Sequence, residues 1–101
     1  MIRPLTISAT GVVIVASAIG LNYMLWEEEV EKGATLRTLF KRLTDRYPKF
    51  RELVYDPGNG ELTGLVSVIF NNRVLELAGG LDAEIQDGDS VVLLPAYAGG
   101  S

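Results

Sequence analysis

The sequence contains no cysteine and no histidine. Without cysteine there is no disulfide framework, no thiolate nucleophile and no zinc–thiolate site. Without histidine the usual general base and the commonest metal ligand are missing. Aromatic residues are scarce, at 8%. Cations are outnumbered, nine against thirteen acids, and the net charge of −4 disfavours wholesale nucleic-acid binding. Carboxylates, lysines and hydroxyls remain for catalysis, but no pair of them stands at a persuasive spacing. The chain reads as something acted upon rather than as an enzyme.

Charge is also absent from Pro4 to Trp26. Arg3 precedes this stretch, and Ala16-Ser17-Ala18 has the small-residue character of an export cleavage signal. Thr6, Ser8, Thr10, Gly11, Ser17, Gly20 and Asn22 dilute its hydrophobicity, and the run Val12 to Ala16 is short for a membrane span. The expectation is a strand and a buried connection, in a cytoplasmic protein that neither spans nor binds a membrane.

At 101 residues the chain is expected to form one domain, 1–101. Arg3 to Thr10 alternates weakly and predicts a first strand. Gly11 to Gly20 is apolar and β-branched, and reads equally as strand continuation or packed connection. Tyr23 to Glu31 predicts a second strand, with Glu27, Glu28, Glu29 and Glu31 as a solvated edge. Lys32-Gly33 is a turn. Thr35 caps a helix from about Leu36 to Tyr47, whose apolar stripe is Leu36, Leu39, Phe40, Leu43 and Tyr47. Pro48 ends that helix. The cations Lys41, Arg42, Arg46, Lys49 and Arg51 read as a solvated face. Asp56 to Gly60 is a loop. Val66 to Phe70 is a strand, joined through Asn71-Asn72 to a hairpin partner, Arg73 to Leu77. Leu81 to Ile85 reads as a short helical turn. The pattern is α+β, with one main helix packed on a mixed sheet.

The end of the chain is its most informative part. Asp87-Gly88-Asp89 reads as a turn rather than a metal site. An apolar strand, Val91 to Leu94, follows, and Pro95 is expected to stop it. Either Val91 and Leu93 or Val92 and Leu94 should face the core, leaving the other pair beside the tail. The flexible tail, about 96–101, carries Tyr97, Ala98, Gly99, Gly100 and Ser101. A tail of small residues can enter a narrow channel in another protein and present a carboxyl group there.

Several motifs occur in a fixed order: Glu31-Lys32-Gly33-Ala34-Thr35-Leu36, Phe70-Asn71-Asn72-Arg73-Val74, Leu81-Asp82, Asp87-Gly88-Asp89-Ser90-Val91, Leu94-Pro95 and Ala98-Gly99-Gly100. Together they resemble the ubiquitin-like sulfur carriers, the family of the molybdopterin synthase small subunit and the thiamine-pathway sulfur carrier. The resemblance runs from about Leu25 to Gly100. It implies a β-grasp fold and a role as protein co-substrate. A ubiquitin-activating-type partner would use ATP to adenylate the carboxyl of Gly100, and sulfur would replace the adenylate to give a thiocarboxylate. Gly99 would give access, and Val92, Leu94, Tyr97 and Ala98 would help dock the partner. No cofactor would be bound by the chain itself. A sulfur-accepting enzyme such as the molybdopterin synthase large subunit would take the sulfur, and the Ala-Gly-Gly ending points first to molybdopterin synthesis. Ser101 follows the glycine pair, so either a peptidase removes it first or the chain cannot be activated; Gly-Gly-Ser also has the composition of an appended linker. The rivals are a carrier for thiamine or sulfur amino-acid synthesis, a modifier conjugated to lysines, and a non-covalent β-grasp module whose tail does nothing.

Overall fold

The computed structural model describes residues 9–18 and 23–96. Strand β1 is Ala9–Ser17, β2 Met24–Glu31, β5 Val66–Phe70, β6 Arg73–Val74 and β7 Ser90–Pro95. They form one sheet in the order β2-β1-β7-β5-β6. Helix α1 is Leu36–Arg46, α2 is Pro48–Leu53, and a small hairpin pairs β3 (Tyr55–Asp56) with β4 (Glu61–Leu62). Strands β1 and β7 run parallel at the centre, and the other pairs are antiparallel. This is the expected mixed β-grasp sheet with its helix.

Helix α1 starts where the sequence indicates. Thr35 Oγ1 accepts a hydrogen bond from the Thr38 amide at 3.2 Å, satisfying one otherwise orphaned donor. Leu36, Leu39, Phe40 and Leu43 are buried against Val13, Val15, Val30, Val68, Val91 and Leu93 of the sheet. Phe40 meets Phe50 edge-on at 5.2 Å and Tyr55 at 6.1 Å, which ties α2 and the small hairpin to the same core.

Several local expectations are corrected. The expected first strand, Arg3 to Thr10, lies mostly outside the described residues. The strand observed is Ala9–Ser17, so most of the apolar segment from Gly11 is a central strand flanked on both sides. That position explains its β-branched composition, because a central strand buries one face under the helix and pairs along both edges. Pro48 ends α1 by holding Tyr47 extended (φ −127°, ψ 106°), but it also opens α2 at a position that needs no amide hydrogen. The hairpin partner stops at Val74, and Leu75–Leu77 form a 3₁₀ turn instead. Asn71 and Asn72 adopt the positive φ expected of them, 54° and 70°. The second helical turn covers Gly80–Asp82, slightly earlier than expected.

Glu28 is not solvated. It is buried on β2, and its carboxylate accepts hydrogen bonds from Trp26 Nε1 at 2.8 Å and from Arg46 at 2.6 Å, with Arg42 at 3.6 Å. Arg42 also donates to the backbone carbonyl of Glu29. Two cations of the supposed free face therefore hold the edge strand. The hydrogen bond to Glu28 pushes the Arg46 guanidinium above its ordinary value, against a smaller opposing effect of burial.

Candidate functional site: the open sheet face and the root of the tail

Strand β7 delivers the tail, so its surroundings define the candidate site. Val91 and Leu93 are fully buried beneath α1, whereas Val92 is half-buried and Leu94 is 38% exposed. The structure thus decides between the two alternating pairs. Val92 and Leu94 lie on the sheet face opposite the helix.

Strand register extends this face. Val92 is opposite Ala16 on β1 and Ile69 on β5; Ala16 is opposite Leu25, and Ile69 is opposite Val74. Directly opposed residues share a face at about 4.5–5.5 Å. Leu25, Ala16, Val92, Ile69 and Val74 therefore form one apolar row across all five strands. Ile14, also exposed, widens it on β1. Glu27 and Glu29, exposed and opposite Ile14 and Val12, border the row on β2.

The apolar residues also gather at one end of the sheet. Ser17 is opposite both Leu93 and Met24, and Val66 is opposite Pro95. The end of β7, the start of β2 and the start of β5 therefore adjoin. Exposed Tyr23, Leu25, Leu65 and Leu94 all lie at or next to this end, whereas exposed Met24, opposite Ser17, is on the helix face. A contiguous apolar surface of this kind marks a docking site more strongly than scattered exposed residues do.

Pro95 does not stop the strand. It pairs with Val66, and the Ala96 amide donates to the Leu65 carbonyl at 3.0 Å. Asn71 likewise donates to the Ser90 carbonyl. Hydrogen-bonded pairs thus fall at 71/90 and 65/96, and alternation makes Val66/Pro95 a non-hydrogen-bonded pair. The amide hydrogen that proline lacks would have pointed away from β5. The pairing consequently runs on past the proline, as far as Ala96.

Of the expected site residues, Val92 and Leu94 come together on the open face. Tyr97, Ala98, Gly99 and Gly100 lie outside the described residues, as does Ser101. Ala16, Leu25, Ile69 and Val74 were not legible as site residues, since only strand register aligns them. Asp87 and Asp89 act within the turn: Asp87 Oδ1 accepts from the Val12 amide at 2.9 Å, and Asp89 Oδ2 from the Gln86 amide at 2.7 Å. Among the described residues no cluster of three acidic ligands could hold a metal ion, and no helix is long and apolar enough to cross a membrane.

Known proteins resemble the chain in sequence and in fold. The model of the ThiS family matches residues 21–100. The sulfur carrier protein CysO of Mycobacterium tuberculosis is 39% identical over 69 residues, covering 67% of this chain and 74% of that protein. The crystal structure of SAMP1 from Haloferax volcanii superposes with a TM-score of 0.70 at 21% identity, covering 89% of this chain and all of that one, a likeness of fold. A chain of the Amycolatopsis orientalis BexX/CysO complex superposes with a TM-score of 0.55 at 28% identity, covering 85% of this chain and 99% of that one.

Proposed function

The chain belongs to the ThiS family and is a ubiquitin-like sulfur carrier, and on that premise we propose that the carboxyl group of Gly100 is its reactive centre. The observation that carries this reading is the position of Ala96. It directly follows β7, the strand that carries Val92 and Leu94, at the apolar end of the open face. Gly100 lies four residues beyond Ala96, so a fully extended tail would reach about 14 Å. A partner that covers the open face can take the carboxyl into its own active site. Glycine at the last two positions lets the backbone lie close to a bound nucleotide.

The chemistry needs no catalytic side chain from this protein. A partner of the ubiquitin-activating type binds ATP. A Gly100 carboxylate oxygen attacks the α-phosphorus, and pyrophosphate leaves. Sulfide (HS⁻) then attacks the acyl carbon, AMP departs with that oxygen, and loss of the sulfide proton leaves a thiocarboxylate. The protein acts as co-substrate in the cytoplasm, with no cofactor of its own. Ser101 blocks the Gly100 carboxyl in the sequence as it stands, so a peptidase acts first.

Molybdopterin synthesis is the proposed destination of the sulfur, supported by the Ala98-Gly99-Gly100 ending. The match to carriers named CysO favours a second reading, an acceptor outside molybdopterin synthesis. Intact mass after incubation with a cognate adenylating enzyme, ATP and sulfide tests the carrier chemistry. A chain ending at Gly100 should exchange one oxygen for sulfur, and the chain retaining Ser101 should not until that residue is lost. Absence of exchange with a demonstrably active enzyme would refute the proposal. Incubating the thiocarboxylated form with a molybdopterin synthase large subunit and pterin precursor then separates the two acceptors.

A further inference from the structure

The root of the tail is held by a chain of hydrogen bonds that begins on the other side of the molecule. Thr63 follows β4. Its hydroxyl donates to the Leu53 carbonyl at the end of α2, at 2.8 Å, and accepts from the Leu65 amide at 3.2 Å. Its own amide donates to the Val54 carbonyl at 2.9 Å. The Leu65 carbonyl in turn accepts from Ala96. Gly64 makes the connecting turn at φ +89°, with open space where a side chain would begin.

We propose that Thr63 is a positioning residue for sulfur loading: through Leu65 it fixes the Leu65–Ala96 pair, and so sets how many residues separate the paired strands from Gly100. The proposal rests on the carrier reading above. Three of the four bonds converge on the single residue Thr63, which ties the turn to α2 rather than leaving it as a loose connection. The Leu65–Ala96 pair lies beyond Pro95, which has no amide hydrogen to donate. Without the clamp, the pairing retreats to Ser67–Leu94, the next hydrogen-bonded pair. The distance along the chain from the last pair to Gly100 then grows from four residue steps to six. Effective concentration falls roughly as the −3/2 power of linker length, so this change alone lowers delivery of the carboxyl about twofold. The chemical step in the bound complex is unaffected.

The experiment uses the chain ending at Gly100 with substitutions Thr63→Val, Thr63→Ser and Gly64→Ala. Val removes the hydroxyl while keeping the shape, Ser retains the hydroxyl, and Ala strains the turn without removing any of the bonds. The first readout needs no partner: amide hydrogen exchange at Ala96. Thr63→Val should speed it roughly five- to tenfold, the effect of losing one net hydrogen bond, and Gly64→Ala by a similar factor through strain at positive φ, while Thr63→Ser should match the parent. The second readout is ATP–pyrophosphate exchange with the adenylating enzyme. KM for the carrier should rise about twofold in the valine variant at unchanged kcat, and serine should restore it. Unchanged Ala96 exchange in the valine and alanine variants, or serine behaving like valine, overturns the proposal. If the parent chain itself is not adenylated, the carrier reading fails, while Ala96 exchange still reports on the clamp.

Discussion

Leu93 and Leu94 are adjacent, identical in chemistry and opposite in role, so truncating each to alanine separates stability from docking. Leu93 is 1% exposed among Val13, Leu39, Phe40 and Val68. Removing its branched end leaves a cavity in a packed core and should cost about 2–4 kcal/mol. For a domain of this size that lowers the melting temperature by about 10–20 °C. Leu94 is 38% exposed on the open face. Of a leucine surface of about 180 Å², roughly 70 Å² remains for a partner to cover, worth about 1.5 kcal/mol at ~25 cal/mol per Å². Alanine keeps part of that contact, so the loss in binding should be about 1 kcal/mol, or about fivefold in affinity. Melting followed by circular dichroism and titration of the adenylating enzyme by calorimetry provide the two measurements. Leu94→Ala should shift the melting temperature by no more than a few degrees. A large melting shift for Leu94→Ala with none for Leu93→Ala would refute the register of β7. Unchanged partner affinity in Leu94→Ala would refute the open face as the docking surface.

Two further substitutions test how the sheet carrying the tail is held. Glu28→Ala strips the half-exposed Arg46 and Arg42 of their shared carboxylate and Trp26 Nε1 of its acceptor; the cost should be about 1–2 kcal/mol, read by urea denaturation, and a neutral result would mean that the arginines find water without penalty. Gly11→Ala places a side chain 2.9 Å from the Cα of Asp87, next to the bond between Asp87 and the Val12 amide; thermal melting should show a loss of about 1–3 kcal/mol, and an unperturbed melt would refute the close approach of β1 to the turn before β7.

The legible parts of this protein are those whose signals are local. Thr35 and the Leu36 to Leu43 stripe mark α1 because a cap and a 3.6-residue period act within a few turns of chain. Asn71-Asn72 marks its hairpin because few residues other than glycine accept positive φ. The misread parts depend on a distant neighbour. Glu28 looks like one member of an acidic run until Arg46 and Trp26 enclose its carboxylate. Pro95 looks like a terminator until its partner, Val66, shows that the missing amide hydrogen points away from β5. Gly11 to Ser17 looks ambiguous until strands on both sides make it central. Thr63 carries no signal of its own, because its role comes from Leu53 and Leu65 lying on either side of it.

The sequence by itself determined helix α1, the Asn71-Asn72 turn and the family, since each is encoded in contiguous residues or in motifs of constant spacing. Only the tertiary structure decided that Val92 and Leu94 face outward, that Leu25, Ala16, Ile69 and Val74 join Val92 in one row, and that the pairing continues past Pro95 to Ala96. Those facts depend on register and on which sheet face the helix covers. An alternating strand has two equivalent faces in isolation, and it is the packing of Leu36, Leu39, Phe40 and Leu43 against one of them that leaves the other open.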